Sequence, residues 1–252
     1  MSQCHSHIGI PRIIEKGFSN NNQVSVFDTI RNSIYKASIN RLGTKNNYYD
    51  EDVEKELLAK NVEKHFSEFY KNFCDSKNIN EMQKVLNSST EVIQYFLGFM
   101  FMRTKKTLDI INDKSPLSKI CGNCSHSELL RIQTQIKSNP FLIIGENYYF
   151  YPIVNNSNIL FINNSIGFGM NINSNKDISI IIPLNINVAI FVSGILQNKD
   201  NNYFCIEEEN KADSINKCIV MMEKIWGNGF IFGKEGKMIK CYSEYYKTIK
   251  VE

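Results

Sequence analysis

The chain has 252 residues, of which 42% are hydrophobic and 22% are charged, and these proportions exclude an intrinsically disordered protein. Its 29 basic and 26 acidic residues leave a net charge of +3, which is too near balance for a protein that holds nucleic acid by bulk electrostatics. The seven cysteines are an odd number and follow a polar start with no apolar leader. We therefore expect a cytoplasmic protein without a disulfide framework.

Residues 1–45 are predicted to form an N-terminal β segment. Within residues 7–28, a polar Ser-Asn-Asn-Asn turn at 19–22 precedes an alternating apolar run. Asparagine-rich turns tolerate left-handed backbone, so this pattern predicts a strand, a turn and a second strand. Residues 30–39 are expected to extend these strands into a small antiparallel sheet.

Residues 50–138 are predicted to be the helical part. One helix is expected over 50–73, where apolar side chains recur at three- and four-residue steps. A longer helix is predicted over 81–111, because its middle is apolar on every side, as in a helix that its neighbours cover completely. Arg103 follows that buried stretch. An unpaired buried charge is costly, so its guanidinium must reach a carboxylate, a row of carbonyls or solvent.

Residues 140–250 are predicted to be rich in β structure. Short β-branched or aromatic runs are separated by Asn, Ser, Gly and Pro, a pattern typical of antiparallel sheets. The runs are 141–144, 148–154, 159–162, 178–182 and 188–192. A helix is expected over 211–226, and a hairpin over 230–242. The sequence thus predicts an α+β fold, organised as one domain over residues 1–252.

The uncharged stretch 178–196 is about as long as a membrane-spanning helix needs to be. It contains Pro183, Asn185 and Asn187, however, and it is rich in β-branched residues. This composition suits two buried strands better than a helix, so we expect no membrane span.

Several landmarks occur in a recognisable order. The first string contains His7, Pro11, Arg12 and Phe18 and ends in Val26-Phe27-Asp28. It resembles the start of the domain-of-unknown-function 4238 family. Later landmarks that resemble this family are Asn46-Asn47-Tyr48-Tyr49, Glu63, Met102-Arg103-Thr104 and Ile182-Pro183-Leu184. The family has no agreed activity, so the resemblance implies fold expectations and candidate positions.

One departure from the family's pattern concerns a turn. Where the family has an aspartate in a Thr-Ser-Asp-Asn-Pro turn, this chain has Asn164-Ser165-Ile166-Gly167. If that aspartate does chemistry in relatives, this chain lacks it.

The resemblance nominates four site residues. His7 and Glu63 are the candidate catalytic residues, because an imidazole exchanges protons near neutral pH and a carboxylate acts as a base or as a ligand of a divalent metal. Arg12 and Arg103 are the candidate anion-binding residues, since guanidinium groups clamp phosphate or carboxylate. The structural alternative is that Glu63 and Arg103 form a salt bridge between helices and that His7 hydrogen-bonds a carbonyl.

A candidate zinc site combines Cys121, Cys124 and His126. Thiolates and imidazoles at this spacing hold zinc when further ligands complete the site, here from Cys4, His5 and His7 near the start of the chain. The alternative is isolated thiols in a loop.

Two functional hypotheses follow. The first is a hydrolytic enzyme or toxin-like effector that acts on a phosphate-containing substrate, a nucleic acid or a nucleotide. The second is a non-catalytic ligand-sensing or protein-binding domain that uses the same pocket. The chain has no nucleophile elbow, phosphate-binding loop, dinucleotide fingerprint or motif for sequence-specific nucleic-acid recognition, so the expected ligand is defined only as anionic and phosphate-containing.

Overall fold

The computed structural model describes residues 5–7, 10–46, 48–114, 124–135, 148–172, 178–194 and 203–250. Its helical elements are α1 (Arg12–Gly17), a π-helical segment (Val53–Glu63) that continues into α2 (Lys64–Cys74), α3 (Ile79–Ser88), α4 (Thr90–Met102), α5 (Lys105–Lys114), α6 (His126–Gln135), α7 (Glu209–Trp226) and α8 (Gly236–Thr248). Together with the strands below, they confirm the predicted α+β class. The organisation as one domain stays a prediction.

The strands form two main sheets and a short ribbon. They are β1 (His5–His7), β2 (Gln23–Asp28), β3 (Ser33–Ser38), β4 (Thr44–Asn46), β5 (Tyr149–Asn155), β6 (Asn163–Asn164), β7 (Gly169–Ile172), β8 (Ile178–Pro183), β9 (Val188–Ser193), β10 (Phe204–Ile206) and β11 (Phe230–Gly233). One sheet has the order β10-β5-β9-β8-β7 and the other β3-β2-β11-β6, while β1 pairs with β4. Among the described pairs, only β10 and β5 run parallel, so the expected antiparallel character is confirmed.

The N-terminal segment differs from the prediction, because residues 12–17 form helix α1 and not a strand. Pro11 precedes it with φ −57° and needs no backbone donor at this end of a helix. Ile10, Ile14 and Phe18 lie four residues apart and are all completely buried, which is the spacing of one helix face. The asparagine turn is confirmed, with Asn21 and Asn22 at positive φ.

The helix predicted over 81–111 is wrong as one element, since the chain forms α3, α4 and α5 in its place. Ser89 interrupts it with φ −125° and ψ 14°. A second interruption lies at Arg103 and Thr104, where the Thr104 hydroxyl accepts a hydrogen bond from the Thr107 backbone N–H at 3.2 Å. Serine and threonine compete for backbone hydrogen bonds in this way and so favour caps over helix interiors.

The C-terminal hairpin is also wrong. Residues 230–233 form β11 as predicted, but residues 236–248 form helix α8. Ile239, Tyr242 and Ser243 are its buried residues, and their three- and four-residue spacing is helical. Elsewhere in the β-rich part, the run 159–162 is not a strand, β7 and β10 were not predicted, and the run 141–144 lies outside the described residues.

The stretch 178–196 forms the antiparallel strands β8 and β9 as far as residue 193. In the described ranges, no helix is long and apolar enough to cross a bilayer. The stretch therefore serves the sheet as far as residue 193, as its β-branched composition indicated.

Helix α1 lies between α2 and the turn that joins β8 to β9. Gly17 permits this close approach, because a Cβ atom there would lie 2.6 Å from the Leu184 carbonyl oxygen. The Tyr70 hydroxyl of α2 donates to the same carbonyl at 3.2 Å, and the Ile186 backbone N–H donates to the Gly17 carbonyl at 3.3 Å. The side chains of α1 are thus held between the helical part and the larger sheet.

Candidate functional site

The candidate site begins with Glu15, a carboxyl group on α1 that is 0% exposed. In the described part of the chain, neither of its carboxyl oxygens has a hydrogen-bond partner. Helix α1 places it there, because the neighbouring Ile14 belongs to the buried face and Ile10 and Phe18 fix that face against the core. A buried polar group without a partner costs free energy, so each one needs an explanation, and a catalytic role is one such explanation.

The electrostatic surroundings of Glu15 bring three further charged residues together. Burial raises the pKa of Glu15 to about 9, while Arg12 opposes the rise, Glu63 adds to it and Arg103 opposes it. Glu15 therefore carries its proton at neutral pH. Three of the four residues nominated from the sequence thus act on one carboxyl group.

Arg103 is 1% exposed and lies at the C-terminal end of α4. Its Nε atom donates to the Tyr49 hydroxyl at 3.2 Å, and its Nη1 atom donates to Glu63 Oε1 at 3.3 Å. Burial disfavours the charge of Arg103, but Tyr49 and Glu63 outweigh this effect and raise its pKa. The buried guanidinium of Arg103 is thus paired with the Glu63 carboxylate, one of the partners predicted for it from the sequence.

Glu63 ends the π-helical segment, where the Lys64 backbone N–H bonds to the Ala59 carbonyl five residues earlier. The Glu63 side chain is 27% exposed, against 2% for the side chain of Arg103. One end of this ion pair is therefore accessible to solvent and the other is sealed. π-Helical turns are rare and occur frequently at functional sites.

Arg12 lies one turn before Glu15 on α1, and it is exposed. His7 lies in β1, which pairs with β4, but its side chain is outside the described residues. The acid–base role of His7 and the anion-binding roles of Arg12 and Arg103 stay predictions.

The predicted zinc ligands are only partly described. Cys121 lies outside the described residues. His126 is buried, with Nε2 3.3 Å from the Thr104 carbonyl oxygen and its ring 5.1 Å from that of Tyr48. Cys124 is a free, partly buried thiol. Over the described ranges, no three His, Cys, Asp or Glu residues are grouped to hold a metal ion, and the zinc site stays a prediction.

The turn formed by Asn164-Ser165-Ile166-Gly167 is built around Asn164. Its side-chain oxygen accepts hydrogen bonds from the backbone N–H groups of Ile166 and Gly167, and its amide nitrogen donates to the carbonyls of Phe168 and Ile219. An asparagine satisfies both sets of contacts, because it offers an acceptor and two donors. An ionised aspartate has acceptors but no donor, so it could not make the two hydrogen bonds that the Asn164 amide nitrogen donates. Asn164 therefore fits this turn as a structural residue.

A second buried acid, Glu223 of α7, lies beside this turn. The backbone N–H and hydroxyl of Ser165 donate to its Oε2 atom, and the backbone N–H groups of Gly229 and Phe230 donate to its Oε1 atom. Burial raises the pKa of Glu223 to about 7 against the effect of these donors. In contrast to Glu15, Glu223 is fully hydrogen-bonded.

Two members of the candidate site, Glu15 and Tyr49, were not nominated as site residues from the sequence. Glu15 follows Arg12 by three residues, a spacing that shares a face only in a helix. Because the sequence of this stretch predicts a strand, it does not identify Arg12 and Glu15 as residues of one face. Tyr49 belongs to a segment already singled out, but nothing in the sequence pairs it with Arg103.

Comparison with protein-family models, with curated proteins and with solved structures found no match to this chain.

Proposed function

We propose that this protein is a hydrolytic enzyme that acts on a phosphate-containing substrate, a nucleic acid or a nucleotide. The observation that carries the proposal is the buried, unpartnered Glu15 beside the Glu63–Arg103 pair. Carboxyl groups in contrasting environments are a common way to obtain an acid and a base in one site. Glu15 is sealed and protonated, whereas Glu63 is partly exposed and paired with a cation.

In the proposed mechanism, Glu63 is the base and Glu15 is the acid. A water molecule loses a proton to Glu63 as its oxygen forms a bond with phosphorus. The bond from phosphorus to the leaving oxygen breaks, and Glu15 gives its proton to that oxygen. Arg103 holds the Glu63 carboxylate in place, since its guanidinium is fixed between Glu63 and Tyr49.

Arg12 supports the phosphate class of substrate. It is an exposed cation and lies on the same helix as the proposed acid. A guanidinium at this position neutralises the charge that develops on the phosphate oxygens during the reaction. Because Glu15 is 0% exposed, the proposal requires helix α1 to shift so that the substrate reaches the Glu15 carboxyl group from the side of Arg12.

The test is hydrolysis of bis(p-nitrophenyl) phosphate, p-nitrophenyl phosphate and short single-stranded RNA and DNA by the full chain. Glu63→Gln removes the base and is expected to lower the rate on every substrate by about a hundredfold or more. Glu15→Gln removes the acid and is expected to do the same on RNA and DNA, whose alkoxide leaving groups need a proton, but to have a smaller effect on the two nitrophenyl esters, whose leaving group is a weak base. Glu68→Gln, which removes an exposed carboxylate of α2, is the matched control and keeps the rate. Absence of hydrolysis of all four substrates, or equal rates in all variants, contradicts the proposal.

A second candidate function is a non-catalytic ligand-sensing or protein-binding domain. The burial of Arg103 favours it, because a guanidinium held by Tyr49 and Glu63 also serves as a structural link between helices. Under this alternative, Glu63→Gln lowers stability and no variant changes a rate of hydrolysis. The same set of variants therefore distinguishes the two candidates.

A further inference from the structure

A surface pocket of about 330 Å³ lies where α5, α7 and α8 meet the end of β2. This volume is within the range of small-molecule sites. We call it the Lys105–Lys224 pocket after its two lysines. Its lining residues are Thr29, Ile30, Tyr48, Lys105, Glu223, Lys224, Gly227, Asn228, Gly229 and Tyr246.

One wall of the pocket is the turn that follows α7. A Cβ atom at Gly227 would lie 2.0 Å from the carboxyl carbon of Glu223, so this position excludes any larger residue. Gly229 has φ +119°, a backbone conformation that glycine adopts readily. The Asn228 backbone N–H donates to the Ser165 hydroxyl at 2.6 Å. The wall is thus fixed by the same contacts that satisfy Glu223.

The charge of the pocket is positive. In the described part of the chain, neither Lys105 nor Lys224 forms an ion pair, and Lys224 Nζ lies 4.2 Å from the centre of the Tyr246 ring. Glu223 is the one acidic residue of the lining. The two carboxyl oxygens of Glu223 accept four hydrogen bonds from Ser165, Gly229 and Phe230. These donors, and not the lysines of the pocket, therefore stabilise the charge of Glu223.

The pocket adjoins the candidate site through Tyr48. This ring lines the pocket and lies 4.9 Å, between ring centres, from that of Tyr49, the partner of Arg103. Arg103 itself is sealed by its contacts, whereas Lys105 is exposed two residues later. A phosphate group therefore meets cations in the pocket that it does not meet at Arg103.

We infer that the Lys105–Lys224 pocket binds the phosphate group of a phosphomonoester, such as a nucleoside monophosphate. The inference rests on the proposed function, in that this ligand belongs to the proposed substrate class. The ammonium groups of Lys105 and Lys224 bind the phosphate oxygens. The Asn228 side chain and the Thr29 and Tyr246 hydroxyls supply the polar surroundings of the ligand.

The experiment is a fluorescence titration of the full chain with inorganic phosphate, adenosine monophosphate and adenosine. Trp226 is the single tryptophan and directly precedes the pocket residue Gly227, so its emission reports on binding. Saturable binding of both phosphate-bearing ligands, but not of adenosine, is expected. Lys105→Gln combined with Lys224→Gln is expected to weaken it by about tenfold or more, because this variant lacks both cations of the pocket.

The charge-matched control combines Lys237→Gln with Lys240→Gln on exposed positions of α8. It is expected to bind phosphate as the unaltered protein does. Equal weakening in both double variants attributes the effect to overall charge and overturns the inference. Equal binding by adenosine, no saturable binding, or full binding by the Lys105 and Lys224 variant overturns it as well.

Failure of the inference is distinguishable from failure of the proposed function. Glu15→Gln binds phosphate normally if the pocket is the phosphate site. Phosphate binding that depends on the two lysines, without any hydrolysis, supports the phosphate-binding pocket and contradicts the proposed hydrolytic function. Hydrolysis that depends on Glu15, with no change in KM when Lys105 and Lys224 are replaced, supports the proposed hydrolytic function and contradicts the phosphate-binding pocket.

Discussion

Replacing Glu15 with glutamine is expected to remove a penalty on stability that grows with pH. The pKa of Glu15 is raised from 4.5 to about 9 by burial. Between these values the unfolded chain releases this proton and the folded chain retains it, so the unfolded state binds fewer protons. The free energy of unfolding therefore falls as pH rises from about 4.5 to about 9. Below pH 4.5 the penalty is absent.

The magnitude follows from the length of that interval. Each pH unit above 4.5 lowers the free energy of unfolding by about 1.4 kcal/mol, so at pH 7 the penalty is about 3 kcal/mol. Glutamine has the size of glutamate but no proton to lose. Any cost of its buried amide is the same at every pH. The difference in free energy of unfolding between Glu15→Gln and the unaltered protein is thus expected to increase by about 3 kcal/mol in favour of the variant from pH 4.5 to pH 7.

Urea unfolding followed by tryptophan fluorescence measures this difference at pH 4.5, 6 and 7. Glu68→Gln is the control, because it removes an exposed carboxylate of α2 and is expected to change stability by at most about 0.5 kcal/mol at each pH. A constant difference between Glu15→Gln and the unaltered protein refutes the reasoning, since it means that Glu15 ionises equally well in the folded and unfolded states.

Three further variants test the surroundings of the site by urea unfolding. Arg103→Met leaves the carboxylate partner unpaired, so a loss of about 3 kcal/mol is expected, and an unchanged stability contradicts the buried ion pair. Gly227→Ala forces the new Cβ atom against Glu223 and costs about 2 kcal/mol, whereas the control Gly194→Ala, whose nearest neighbouring atoms would lie 3.8 Å away, costs less. Ser165→Ala removes a donor to Glu223 and raises its pKa further, so a loss of about 2 kcal/mol is expected at pH 8 and a smaller loss at pH 5; equal losses exclude this linkage.

The Glu63–Arg103 pair shows what the sequence could predict. Arg103 follows a stretch that is apolar on every side, and this arrangement requires a partner for its charge. Glu63 lies in the helix predicted over residues 50–73 but is not one of the apolar side chains that recur along it, and its side chain is partly exposed. Long periodic segments carry enough repeats for such inferences.

Glu15 shows where prediction from sequence failed. Helix α1 has only six residues, too few for its period to be distinguished from that of a strand. The predicted hairpin failed for a different reason, because α8 has 13 residues but the hairpin prediction covered only its first part, as far as residue 242. The pairing of Tyr49 with Arg103 and the approach of Tyr48 to the Lys105–Lys224 pocket depend on tertiary packing, which no local pattern encodes.

The pH dependence of hydrolysis tests the central claim most directly. For whichever of RNA and DNA the full chain hydrolyses faster, kcat/KM is measured from pH 5 to pH 10 together with that of Glu15→Gln, because the alkoxide leaving group of these substrates needs a proton. If Glu15 is the acid, kcat/KM falls as pH rises through about 9, where Glu15 loses its proton, and Glu15→Gln shows a low rate without this limb. A rate that stays constant through pH 9, or the same alkaline limb in Glu15→Gln, contradicts the account.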